Sequence, residues 1–270
     1  MADNTAQKEF PPRRVVLLGA SNLIRGISPV FEISRKLWGS PLDFITTAAH
    51  GRSYGRGASR VLWRVLPGIL SCGIWDALEK RPPATTASLL TDIGNDLLFG
   101  ASVKQIRGWV GECLEKVSDF SEKIIVTELP LETIKKLGAC RFAMLRSMLF
   151  PSSRLQYQDA IERSLQLNDE VIELAKEFHA AIVKPRRDWY GFDPVHIRRG
   201  AMSSAWRKIL SAWFEGEQSE KMPEFTYKSS LSRWIRLRRL RPHYRRMFGF
   251  NQRQEQPAAR YHDDTCVSFY

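Results

Sequence analysis

Val15-Val16-Leu17-Leu18-Gly19-Ala20-Ser21-Asn22-Leu23 is the stretch whose reading decides the fold. Four successive aliphatic residues predict a strand buried on both faces, the pattern of a central strand in a parallel sheet. Gly19 and Ala20 are small enough for a sharp exit from that strand. Ser21 then falls at the carboxyl end of the strand, where open α/β sheets place their ligand sites. On its own Ser21 reads equally well as the N-cap of a following helix. The rest of the chain must supply a base, an orienting acid and oxyanion donors before the serine reads as a nucleophile.

Outward from this strand, elements alternate. Apolar spacing predicts a helix over 27–38, closed by Gly39, and a second strand over 42–49. A glycine-rich loop follows, His50-Gly51-Arg52-Ser53-Tyr54-Gly55-Arg56-Gly57. The pattern over 58–78 predicts a helix broken at Pro67-Gly68, and Arg81-Pro82-Pro83 is a linker. A third strand over 87–93 runs into Gly94-Asn95-Asp96. Beyond it the spacing predicts a helix over 102–117, a fourth strand over 123–129 stopped by Pro130, helices over 133–149 and 158–179, a short fifth strand over 180–183 and an amphipathic helix over 199–214. Strands alternating with helices at these intervals predict an α/β fold with a parallel sheet covered on both faces.

The chain divides into an N-terminal tail, 1–13, an α/β domain, 14–214, and a basic C-terminal extension, 215–270. Within the extension, 228–246 holds many basic residues and no acidic one, and the polar stretch from Asn251 to the end reads as poorly ordered. With 270 residues and 43% hydrophobic content, a sizeable core is expected. No apolar run is long enough to span a bilayer, and no secretory leader is visible. Cys72, Cys113, Cys140 and Cys266 have no metal-type spacing and read as free thiols in a reducing cytoplasm. The formal charge of +12 points to anionic partners: nucleic acid, a membrane surface or a charged substrate.

Four stretches lie at predicted carboxyl ends of strands or just before the last helix: Ser21, the loop through Gly55, Gly94-Asn95-Asp96 and Asp193-Pro194-Val195-His196. Acyl transfer by serine needs a base, a group orienting that base and donors aimed at the oxyanion. Asp193 and His196, three residues apart, can pair across a turn. Asn95 offers a side-chain N–H, and Gly55 and Ser21 offer backbone N–H groups.

In this order the blocks resemble the SGNH (GDSL-type) hydrolases, a likeness that covers roughly residues 14–214. The resemblance implies a flavodoxin-like α/β/α sandwich and a serine esterase, lipase or deacetylase acting on a small-molecule ester without metal or cofactor. It makes Ser21 the nucleophile, His196 the general base and Asp193 the orienting acid. Gly55 and Asn95 become oxyanion donors beside the Ser21 N–H, with Gly51 as the alternative to Gly55. The chain departs from the family pattern where Ala20 replaces the usual aspartate of the first block, and Ile197 stands where a proline often follows the histidine. An acyltransferase on the same fold, and a degenerate site in a protein acting through its basic tail, are the rival readings.

Two charge features remain. Arg25, Arg52, Arg56, Arg198 and Arg199 flank the motifs and could form a positive rim for an anionic ester. In 228–246, Leu231, Trp234, Ile235 and Leu240 interleave with arginines. Such a segment could lie on an anionic membrane as a peripheral anchor, grip nucleic acid phosphates, or dock its apolar side on the α/β domain.

Overall fold

The computed structural model describes residues 13–61, 63–149, 153–214 and 231–270. The strands are β1 (Arg13–Leu18), β2 (Asp43–Thr46), β3 (Ser59–Val61), β4 (Arg64–Leu66), β5 (Thr85–Leu90), β6 (Lys123–Thr127), β7 (Ala181–Val183), β8 (Tyr244–Met247), β9 (Phe250–Arg253), β10 (Ala259–Arg260) and β11 (Cys266–Phe269). The α-helices are α1 (Ser21–Arg25), α2 (Ile27–Trp38), α3 (Ile74–Glu79), α4 (Asn95–Leu98), α5 (Val103–Ser118), α6 (Leu131–Lys135), α7 (Ala139–Leu149), α8 (Tyr157–Glu177), α9 (Met202–Ser211) and α10 (Leu231–Arg239).

The main sheet has seven strands in the order β10-β11-β2-β1-β5-β6-β7. Every pairing in it is parallel except β10 with β11. β1 is central: Leu17 pairs with Thr46 of β2 on one side and Leu89 of β5 on the other. Its side chains alternate between two cores. Val16 and Leu18 join the layer of α3, α5 and α8, while Val15 and Leu17 join that of α2, α9 and α10. This makes the three-layer α/β/α arrangement expected of the sequence, and it explains the unbroken aliphatic run, since both faces of the strand are dry. Gly19 is required where β1 ends. A Cβ there would fall 2.7 Å from Thr91 Cγ2, so the exits of β1 and β5 could not approach.

Below the opposite end of the sheet lies a buried charge cluster. Asp43 Oδ2 receives Arg14 Nε at 2.9 Å and Arg81 Nε at 3.0 Å. Arg81 also donates to Ser268 Oγ at 2.9 Å, which fastens the C-terminal strand to the rest of the sheet.

Three sequence expectations are corrected. Residues 58–78 are not one helix: β3 and β4 form an antiparallel hairpin, and only α3 is helical. The stretch after Asn251 is ordered, with β11 fully buried and paired in parallel with β2. The 133–149 helix is two helices, α6 and α7, divided at Gly138, which takes the left-handed φ of +74°. A second sheet, β3-β4-β8-β9, is antiparallel and was not anticipated. Among the described residues no helix is long and apolar enough to cross a membrane.

The basic tail splits. Residues 215–230, with the start of the 228–246 segment, lie outside the described residues. α10 packs on α2 through the fully buried Leu237, a position absent from the apolar side read in the sequence. Its arginines reach back to the body: Arg236 donates to the Arg260 carbonyl at 2.9 Å, and Arg238 to the Arg25 carbonyl at 3.3 Å.

Candidate active site

Ser21 opens α1 directly beyond the end of β1 and is 7% exposed. The turn that carries it is held by one carboxylate. Asp92 Oδ2 accepts from the amides of Ala20 (2.9 Å), Asn22 (2.9 Å) and Leu23 (3.2 Å), skipping that of Ser21. Asp92 stands just past β5 in the left-handed region, φ +62°. Aspartate tolerates that region better than most residues, and four hydrogen bonds hold it there. A carboxylate from just beyond β5 thus holds the turn that follows β1.

Asn22 joins this turn to the histidine loop. Its Nδ2 donates to Asp92 Oδ1 at 2.8 Å and to the Val195 carbonyl at 2.9 Å, and its Oδ1 accepts from Ile197 N at 2.8 Å. The residues on either side of His196 are therefore clamped to the residue that follows Ser21.

His196 Nδ1 lies 2.6 Å from Asp193 Oδ2. The other oxygen, Asp193 Oδ1, accepts from Val195 N at 3.1 Å and His196 N at 3.2 Å, so the carboxylate is fixed by its own turn. Burial alone would push the Asp193 carboxyl up. The His196 hydrogen bond and charge, with the two amides, outweigh it and hold the group below the usual carboxylate range. Arg25 approaches the same carboxylate at 3.8 Å. The loop is also tied from α6, where Thr133 Oγ1 donates to the Pro194 carbonyl at 2.7 Å.

Asn95 opens α4, and its Nδ2 is buried with no acceptor among the described residues. An amide N–H in that condition costs free energy unless a ligand receives it. Its neighbour Asp96 turns the other way and organises the glycine loop: its carboxylate accepts from the Ser53 hydroxyl and, at 2.8 Å, from Tyr54 N. Burial pushes the Asp96 carboxyl up to about 6, against the pull of those two donors. The Tyr54 hydroxyl donates toward the Leu18 and Thr91 carbonyls at 3.2 and 2.8 Å, laying the loop across the ends of β1 and β5.

Within that loop, Gly55 lies against the Trp109 indole, which a Cβ would meet at 2.0 Å. Gly51 has φ +60° and follows His50. Desolvation on its protein side, then the charges of Arg64, His196 and Arg25, push the His50 imidazole down to about 4. Of the expected positive rim, Arg52 is removed. It is 1% exposed, and its guanidinium donates to the Thr47, Pro67 and Tyr270 carbonyls.

Beside Asn22, Asn95 and Val195 opens a cavity of about 120 Å³. Leu97, Leu129, Ile134, Leu137, Phe142 and Leu155 give it an apolar wall.

Asp92 and Asn22 are the residues that the sequence reading missed. The one signal for Asp92 was the absent aspartate at position 20, which left an acceptor to be found elsewhere.

No protein-family model matches the chain, and no curated protein matches it in sequence. Among solved structures, a mutant of Axe2, an acetyl-xylooligosaccharide esterase from Geobacillus, is 10% identical with a TM-score of 0.50, over 78% of this chain and 98% of that one. The psychrotrophic esterase EstA from Pseudoalteromonas sp. is 13% identical with a TM-score of 0.47, over 76% and 100%. A member of the lipolytic G-D-S-L family from Veillonella parvula is 11% identical with a TM-score of 0.46, over 76% and 98%. The likeness to Axe2 is one of fold: both chains are built on an α/β/α architecture.

Proposed function

We propose that the protein is a metal-independent serine hydrolase that cleaves an ester through Ser21, His196 and Asp193. The observation that carries this is the Asn22 clamp, which sets the His196 loop beside the Ser21 turn through contacts at 2.8 and 2.9 Å. In this reading His196 takes the proton of Ser21 Oγ as the oxygen bonds to the ester carbonyl carbon. Asp193 holds the ring tautomer and stabilises the imidazolium. Collapse of the tetrahedral intermediate expels the alcohol, which takes the proton from His196. Water, activated by the same base, then releases the acid from Ser21.

The oxyanion would lie among the Ser21 N–H, which Asp92 leaves unengaged, the Asn95 amide and a loop glycine. Gly55 and Gly51 are the two loop glycines that could supply it; Gly55 packs against Trp109, and Gly51 holds a left-handed turn. The apolar cavity supports an acyl group of modest size over a charged one.

The reading is tested by hydrolysis of p-nitrophenyl acetate. Ser21→Ala should lower kcat by at least about 10⁴-fold while leaving thermal unfolding unchanged. Turnover by that variant at the wild-type rate would remove Ser21 from the mechanism.

A further inference from the structure

The second sheet carries chemistry that the esterase site does not use. Its two hairpins end side by side. Phe248 N donates to the Trp63 carbonyl at 3.1 Å, and the Trp63 and Phe248 rings stack at 5.5 Å with planes 6° apart. Phe250 pairs across the β8–β9 turn with Met247. Trp63, Phe248 and Phe250 are 53%, 67% and 75% exposed, three large apolar side chains offered to solvent at one spot. Natural hairpin tips are polar by preference, because turn residues meet water. The Trp63–Phe248 stack joins the two hairpins, but burial contributes little for three aromatics this exposed.

The charge around them has one sign. The segments 59–66 and 244–253 contain no aspartate or glutamate. Cross-strand register puts Arg60 opposite Val65, Val65 opposite Arg246, and Tyr244 opposite Arg253. The period of two along each strand therefore sets Arg60, Arg246 and Arg253 on one face. All three are exposed, and none takes part in an ion pair among the described residues. Ser59 and Leu66, on the other face, are buried, and by the same register Phe250, opposite Met247, falls on that other face at the exposed hairpin tip, so the arginines and Phe250 flank the sheet's end from its two sides. Glu255, the nearest acid in sequence, lies beyond β9.

We propose that this edge is an anchor for an anionic lipid bilayer: Trp63, Phe248 and Phe250 enter the headgroup boundary, and Arg60, Arg246 and Arg253 meet lipid phosphates. Aromatic side chains favour the membrane–water boundary, and basic residues add attraction to anionic leaflets. A nucleic acid would also meet the arginines, but it would stack bases on open ring faces, and Trp63 and Phe248 already spend one face each on each other. The anchor lies next to the esterase rim. Arg64 Nη2 of β4 donates to the His50 carbonyl at 2.8 Å, and the chain after β4 hydrogen-bonds Ser53 and Tyr54 of the glycine loop. Bound in this way, the protein would hold its site at the bilayer surface, where an ester of a lipid is met. That last consequence rests on the esterase reading; the anchor does not.

Co-sedimentation of the full chain with phosphatidylcholine vesicles, with and without phosphatidylglycerol, tests the anchor. Wild type should pellet with the anionic vesicles and stay in solution with the neutral ones. The triple variant Trp63→Ser, Phe248→Ser, Phe250→Ser should bind them about tenfold or more weakly, as should Arg60→Gln, Arg246→Gln, Arg253→Gln. Unchanged thermal unfolding of each triple certifies the fold. Ser21→Ala should pellet as wild type does, which separates failure of the anchor from failure of the esterase reading. As a second readout, Phe250→Cys in a Cys140→Ser background, carrying an environment-sensitive fluorophore, should shift to shorter wavelength on anionic vesicles. Absence of wild-type binding, equal pelleting of the aromatic triple, or loss in that triple of binding to a single-stranded oligonucleotide without vesicle binding would overturn the proposal.

Discussion

The two sheets of this protein use similar residues to opposite ends. The seven-stranded sheet turns its aromatic and aliphatic side chains into two dry layers, and Asp43 and Arg14 of its strands are buried with Arg81. The four-stranded sheet turns Trp63, Phe248 and Phe250 outward and leaves three arginines in water. One sheet holds the fold together and lifts a set of side chains to its rim. In the strands of the other, only Ser59 and Leu66 are buried. Exposed apolar surface of that kind marks contact sites more often than accident.

The contrast can be broken most sharply at the main sheet. Asp43→Ala leaves Arg14 and Arg81 buried without their shared counter-charge, and unfolding free energy should fall by about 3–5 kcal/mol in denaturant titration. A loss near zero would mean that the cluster is solvated. At the rim of the same sheet, Asn95→Ala should lower kcat for p-nitrophenyl acetate by about 10²–10³-fold at little cost in stability, since its Nδ2 has no acceptor among the described residues. Stability falling with unchanged kcat would make Asn95 structural.

Asp96 gives a pH-dependent counterpart. The folded protein holds its proton up to about pH 6, whereas an unfolded aspartate releases it near pH 3.9. Between those values the native state binds more protons than the unfolded state, so this group's contribution to stability falls as pH rises through the window. Relative to Asp96→Asn, the wild type should lose up to about 3 kcal/mol between about pH 4 and 6. A difference that is flat with pH would contradict the burial of that carboxyl. The smallest effect belongs to the other sheet: Phe250→Ser should move unfolding free energy by less than about 0.5 kcal/mol. A larger loss would mean that this exposed aromatic does serve the fold.

What was legible in the sequence was local. The aliphatic run of β1, the Gly94-Asn95-Asp96 turn and the Asp193 to His196 spacing each announce themselves within a few residues, so the parallel sheet could be named and candidate site residues proposed. β11 could not be read that way. Its four residues are stabilised by β2, more than 200 positions earlier, and a polar neighbourhood hides so short a strand. The hairpin of β3 and β4 failed for a related reason: strands of three residues are too short for alternation to outweigh a helical pattern. Asn22 and Asp92 were invisible because their roles exist only across contacts some 70 and 170 residues long.

The central claim is that Ser21, placed by β1, held by Asp92 and joined through Asn22 to the His196 loop, is an activated nucleophile. Labelling with a fluorophosphonate probe, followed by peptide mapping, tests it most directly. The account predicts one modified serine, Ser21, with labelling abolished in Ser21→Ala and strongly slowed in His196→Ala. Modification of a different serine, or labelling of wild type no faster than of His196→Ala, would contradict it.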